Sequence, residues 1–418
     1  MTHTPIPDPV RTQSAVAVPQ ERRKQLLAER LRRARSVPSG PGPRQANAVV
    51  PLGPAQTGLW IEDRMDPGSA AYVVGFGLRV QGPVDQQRIR DACRALTARY
   101  DILRVSYPAD DLGEPTVVLH EDTGAEVPVM DLRGVDDPLA SAEEELSRIL
   151  ATPFDVAAGP LARFHSLTLA DDDHVVLFTA HHIIVDGNSL DIILEDLAAA
   201  VRGEDLLPTS VPFPQWTREL RDHVHAGGLH DELPYWKQIQ DRARAVLPLF
   251  AEEEIRREET TTRLARLPED VVDEVFEHVR GTHGLDQGRA ALAVVCHGIA
   301  RWSGRDEIVC TLEGHGRETF AEEHDLTRTV GWFTSAFPHV VESGRDARST
   351  LDAVRGSFDR LPGNGFGYGP LRWYSGELSA DGAQVSPQVS FNYLGEQGRP
   401  AGDLEVTHLS GDLVDPAH

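Results

Sequence analysis

Lysine is nearly missing from this chain: Lys24 and Lys237 are the only two. Arginine supplies the rest of the positive charge, which reads as coding bias rather than function. Cysteine is almost as scarce. Cys93, Cys296 and Cys310 are too few and too scattered for a disulfide framework or a zinc cluster. A reduced, cytoplasmic setting fits them best. No apolar run approaches the length of a transmembrane helix. Met1-Thr2-His3 lacks the basic start and apolar core of a signal peptide. Positive charge is in deficit overall, with a formal net charge of −24. Such a body repels nucleic acid and anionic membrane, so neither is expected as a partner. No solenoid-type repeat is present either.

What is there is an ordinary globular composition, 40% hydrophobic and 25% charged. At 418 residues the chain is too long for one simple core, so two lobes are expected. Residues 1–47 stand apart, with Pro and Gly clustered at 5–9 and 38–43 around a basic helical pattern at 20–35. Leu26, Leu27 and Leu31 mark one face of that helix, which serves as a linker or as a docking element. Beyond it, strand-like runs alternate with helical patterns. Residues 71–80 and 174–182 read as strands, and 84–99 as a helix with Ile89, Ala92, Cys93 and Leu96 on one face. Asn188 or Ser189 is a candidate cap for the next helix. A Pro-containing connection covers 205–214. A second series then begins near Thr261, with helices at 271–280 and 288–302 and a strand at 307–312. Two successive mixed sets give a first lobe over 48–215 and a second over 216–418, both α/β.

The densest chemistry lies in His181-His182-Ile183-Ile184-Val185-Asp186-Gly187. Histidine both takes and gives a proton near neutral pH. If both histidines are extended they point to opposite faces, so only one enters a shared cavity. Asp186 falls in the following turn, where a buried ion pair is its expected role, with Arg99 or Arg104 as candidate partner. Gly187 permits backbone conformations that other residues resist. No spaced set of His, Cys or carboxylates completes a metal site around the pair.

Other motifs follow the same order along the chain as in one known superfamily. They are Pro54-Ala55-Gln56 with Leu59-Trp60, the run from Arg99 to Arg104, and Pro153-Phe154-Asp155 before Gly159-Pro160-Leu161. In the second half come Glu313-Gly314-His315-Gly316-Arg317-Glu318 and the run Arg328 to Thr334 with Phe337-Pro338. The glycine-rich loop 363–369 and Phe391-Asn392-Tyr393-Leu394-Gly395 complete the set. From about residue 48 onward the chain resembles the condensation and epimerization domains of nonribosomal peptide synthetases and the related chloramphenicol-type acyltransferases. Its second half is most similar to epimerization domains, through EGHGRE, RTVGWFT and FNYLG. Its first half is more condensation-like: Asn188-Ser189-Leu190-Asp191 stands where epimerization domains place a Ser-Trp pair. The 23 residues after Gly395 are few for that family.

The resemblance implies two chloramphenicol-acetyltransferase-like lobes in a V, with a tunnel between them. It implies that His182 faces the tunnel and that Glu313 stands across from it, Glu313 cycling between acid and base and His182 serving either as the opposing acid or, as a cation, to steady the oxygen of an enolate. His181, Asp186, Gly187, Arg99 and Arg104 are then supporting residues. Trp332, Phe333, Thr334, Ser335, Tyr368, Asn392 and Tyr393 are candidates for the tunnel wall, although aromatics at such positions also serve as packing. No bound metal or cofactor is implied, because the substrate arrives on the phosphopantetheine of a peptidyl or acyl carrier protein. Synthetase subunits are the expected partners of a monomeric chain. Three activities remain open: Cα epimerization of a carrier-bound aminoacyl or peptidyl thioester, amide or ester formation by a free-standing condensation enzyme, and non-catalytic recruitment of carrier or tailoring proteins.

Overall fold

The computed structural model describes residues 51–110, 115–121, 126–243, 261, 263–321, 324–378 and 387–395. The basic stretch at 20–35 lies outside them, as do the residues after Gly395. The first half opens with α1 (Pro54–Met65), β1 (Val73–Gln81) and α2 (Gln86–Arg99). A single helical turn leads to β2 (Val105–Ser106), which pairs with β3 (Val118–Leu119) as a separate ribbon. Then come β4 (Val129–Asp131), α3 (Pro138–Leu150), β5 (Ala162–Ala170), β6 (Asp173–His181) and α4 (Gly187–Arg202). The second half contains α5 (Phe213–His225), α6 (Leu233–Ala243), α7 (Glu269–His283), α8 (Gln287–Ser303), β7 (Glu307–Gly314), β8 (Ser335–Glu342), α9 (Ala347–Asp359) and β9 (Ser390–Phe391).

Two sheets organise this mixed α/β chain. The first has the order β1-β6-β5-β4, the second β8-β7-β9. Strand β6 is covered on both faces, which explains why its sequence is an almost unbroken apolar run. Its side chains alternate: Val176, Phe178 and Ala180 enter the main core with α2 and α4. Val175 and Leu177 pack instead with Leu146 and Ile149 of α3. Helix α2 starts where the Asp85 carboxylate accepts from the Arg88 N–H at 2.7 Å, and it buries the Ile89, Ala92, Cys93 and Leu96 face. The second sheet packs on α6, α8 and α9 through Trp236, Cys296, Cys310 and Val354. All three cysteines are buried free thiols.

The packing does not divide at residue 215. Helix α5 sends Phe213, Trp216, Leu220 and Val224 into the first core. The excursion between β7 and β8 does the same with Leu326, Val330 and Phe333. A segment that leaves the second sheet is thus built into the first unit. Gly316 shows how tightly it is folded: its φ is +64°, and a Cβ there would lie 1.6 Å from the Phe333 carbonyl oxygen.

Candidate active site

Strand β6 delivers the histidine pair, and the pair separates at its end. His181 is the last strand residue, in register with Val73. Its ring is buried beside Tyr72 and Phe154, and its Nδ1 accepts from the Ile183 N–H at 3.2 Å. That bond turns the chain. His182–Ile184 form one helical turn, closed by the Val185 N–H donating to the His182 carbonyl at 3.2 Å. The expectation of two extended histidines is therefore corrected. His182 stands outside the strand, half-buried, with its ring centroid 5.0 Å from that of Trp332.

Burial, with the neighbouring His182, depresses the His181 pKa to about 3. His181 is therefore neutral at neutral pH and poorly suited to exchanging protons. Burial and the nearby Arg360 likewise depress His339 to about 4. The unfolded chain, with histidines near 6.5, takes up these protons first as pH falls. The stability they contribute is complete above about pH 6.5 and is lost as pH falls towards the folded values. The expected slope is up to about 1.4 kcal/mol per pH unit for each histidine. Urea midpoints at pH 7, 6 and 5 test this, and midpoints that stay level across that range would refute it.

Asp186 is the true cap of α4. Its carboxylate accepts from the Ser189 N–H at 2.8 Å and the Ser189 hydroxyl at 2.7 Å. Asn188 and Ser189 are not the cap, because the chain already turns at Asp186. The expected ion pair exists, but with a different arginine. Arg317 donates to both carboxylate oxygens, at 2.9 and 3.2 Å. The Phe333 N–H adds a bond of 3.1 Å to the same carboxylate. Arg99 pairs with Asp196 at 3.1 Å, and Arg104 with Asp101 at 2.5 Å. Each serves its own neighbourhood: Tyr100 donates to Asp196 at 2.6 Å, and Arg104 donates to the Thr97 and His120 carbonyls. The Arg317 guanidinium also covers the Phe333 ring at 4.1 Å and donates to the Leu326 and Thr329 carbonyls. EGHGRE is thereby joined to the histidine turn by a buried ion pair.

A second brace comes from α1. The buried Gln56 amide donates to the Ile183 carbonyl at 2.6 Å and to the Tyr107 hydroxyl at 2.7 Å. Its oxygen accepts from the Gly53 N–H at 2.8 Å. Gln56→Ala leaves these buried groups without their partner and is expected to cost about 1–3 kcal/mol. Equilibrium urea unfolding measures this, and a loss below a few tenths of a kcal/mol would mean that the brace is dispensable.

Glu313 is half-buried near the end of β7, in register with Ala336. Its Oε2 accepts from the Asn392 side-chain amide at 2.7 Å, so EGHGRE and FNYLG meet at one carboxylate. The remaining wall candidates divide. Phe333 and Tyr368 are core residues: Phe333 packs on Phe213 and Trp216, and Tyr368 packs on Trp236. Bulky rings in a close-packed interior act as filler, so these two do not form an open wall. Tyr393 is exposed and donates to Gln287 at 2.9 Å, over the start of α8. Trp332, Thr334 and Ser335 are half-buried. The Ser335 hydroxyl occupies the space that a side chain at Gly314 would need, 2.8 Å from a Cβ built there. Gly187 opens α4 with room around it. Among the described residues, no group of three or more His, Cys, Asp or Glu side chains is placed to hold a metal ion. No helix among them is long and apolar enough to cross a membrane.

The condensation-domain family model matches residues 46–410. The chain belongs to the condensation-domain family. Surfactin synthase subunit 2 of Bacillus subtilis (strain 168) is 28% identical over 88% of the chain. The chain spans only 10% of that subunit's length, so the relative is a far larger protein. Among solved structures, the epimerization domain from the third module of tyrocidine synthetase B aligns with a TM-score of 0.66 and 24% identity, covering 84% of this chain and 82% of that one. The first condensation domain of the calcium-dependent antibiotic synthetase, with a substrate analogue, aligns with a TM-score of 0.63 and 20% identity, covering 83% and 81%. The condensation-domain fold is therefore common to this chain and to both kinds of domain.

Proposed function

We propose that this condensation-domain chain epimerizes the Cα of an aminoacyl or peptidyl thioester carried on the phosphopantetheine arm of a carrier protein. The observation that carries the reading is the hydrogen bond from Asn392 to Glu313. It joins two motifs of the epimerization type at a carboxylate suited to proton transfer. Trp332, from a third such motif, packs against His182. One group removes the Cα proton, and the C–H electron pair moves into the carbonyl to give an enolate. The other group returns a proton to the opposite face. His182 and Glu313 are the pair, and the exchange leaves atoms and oxidation state unchanged. Acid–base groups placed on both faces of a carbon acid contribute through their proton affinity and their position.

Condensation is the second reading, favoured by Leu190 where epimerization domains place tryptophan and by the condensation-like motifs of the first half. There His182 would assist attack by an acceptor nucleophile on the acyl thioester. The test is to load a carrier protein with an L-aminoacyl thioester and incubate it with the chain in deuterated water. Deuterium at Cα with mixed D and L product is the expected result. Retained hydrogen, with amide or ester formed only on adding an acceptor, would transfer the assignment to condensation. Neither change would leave a recruiting role.

A further inference from the structure

We propose that the Trp332 indole N–H is a hydrogen-bond donor to the thioester carbonyl oxygen, polarising it for loss of the neighbouring Cα proton. This rests on the acyl-thioester reading of the site. Trp332 Nε1 is buried and has no hydrogen-bond partner among the described residues. Buried donors without partners are rare in folded chains, and each calls for a specific reason. The core residue Trp216 has an unpartnered Nε1 as well, so what sets Trp332 apart is its place: half-buried, with its ring against His182.

The backbone around Trp332 is fixed from both sides. The Gly331 N–H donates to the Ser189 hydroxyl at 3.0 Å, and that hydroxyl lies 2.7 Å from the Gly331 carbonyl. On the other side the Phe333 N–H donates to Asp186 at 3.1 Å. Gly331 presses on Phe213 so closely that a Cβ would lie 2.1 Å from the ring. Trp332 is thus mounted on the same Asp186 and Ser189 that follow the histidines. Its ring lies against His182 with a centroid separation of 5.0 Å. In an acyl thioester the carbonyl oxygen is about 2.4 Å from Cα, by standard bond lengths. A base addressing the Cα proton and a donor addressing the oxygen must therefore be near neighbours, as these two rings are. A donor fixed before the reaction stabilises the charge that develops as the enolate forms, with no reorganisation at that moment. The proton goes to the base, the C–H electron pair becomes the enolate, and the indole keeps its own proton throughout.

The test uses N-acetyl-L-alanyl pantetheine thioester labelled with ¹³C at the thioester carbonyl, read by difference infrared spectroscopy on the whole chain. Binding to the parent is expected to move the carbonyl stretch to lower frequency. Trp332→Phe should remove that displacement and slow Cα exchange about 10²–10³-fold, the range for loss of one oxyanion donor, while the KM changes little. Replacing the indole N–H by sulfur, through benzothienylalanine at 332, should do the same with the ring shape kept. An undisplaced stretch in the parent, or one that persists in both variants, would overturn the assignment. Exchange in the parent with an unchanged rate in both variants would also overturn it while leaving epimerization intact. A displaced stretch without Cα exchange would instead retain Trp332 as the carbonyl donor and remove epimerization.

Discussion

Glu313→Gln is expected to slow Cα deuterium incorporation by about 10²–10⁴-fold, the usual contribution of a general acid or base. Glutamine keeps the shape, and its oxygen still accepts from Asn392, so the hydrogen bond at 2.7 Å survives while proton exchange does not. Carrier affinity and thermal stability should therefore remain near those of the parent. This separates chemistry from folding, which an alanine at the same place would confuse. Exchange at the parent rate in Glu313→Gln would take Glu313 out of the mechanism. Asn392→Ala provides a control of lesser effect, since it removes a partner and leaves the carboxylate.

Arg317→Ala should have the largest effect on stability. Breaking a buried ion pair typically costs about 3–5 kcal/mol, because the remaining charge is stranded in a poorly solvated place. Here the stranded group is Asp186, 5% exposed, which is also the cap of α4. The Leu326 and Thr329 carbonyls lose their donor in the same step. Exchange activity should fall with stability, since Phe333 and Gly331 hold Trp332 through the same Asp186 and Ser189. Arg317→Lys should recover only part of the loss, because one ammonium cannot reproduce a planar fork that reaches a carboxylate and two carbonyls. Urea unfolding of the three chains, with Cα exchange alongside, measures both effects. An alanine variant as stable as the parent would show that the pair contributes nothing net.

Much of this arrangement was legible in the residues, and the failures have a common cause. The α2 face of Ile89, Ala92, Cys93 and Leu96 follows from helical periodicity, and the burial of β6 from its apolar run. Both are local properties of a short stretch. The expected ion pair of Asp186 was correct in kind and wrong in partner, because Arg317 is 131 residues away in sequence. One signal is available: Arg317 lies inside EGHGRE and is as much a motif arginine as Arg99 and Arg104. The turn at His182 was missed because a hydrogen bond from Ile183 to the His181 ring, not a propensity, ends the strand. In the sequence Gln56 stands out only as part of a motif, yet its amide spans 127 residues to reach Ile183. Contacts of that length depend on how the sheets come together, which periodicity does not encode. Phe333 and Tyr368 show the same limit, since a ring in a core and a ring on a wall have the same one-letter code.

The excursion between β7 and β8 has a consequence for building hybrids of this chain. Its Leu326, Val330 and Phe333 pack with the first core, and its Arg317 caps the network on Asp186. A chimera joined between the halves would bring a foreign excursion to the histidine turn. Its rings would not have been matched to Phe213 and the other first-half side chains of that core, and its arginine would have to find Asp186 unaided. For recombination, residues 315–334 belong to the donor of the first half, although they are encoded within the second. Two splice points flanking that insert would respect the packing better than a single one near residue 215.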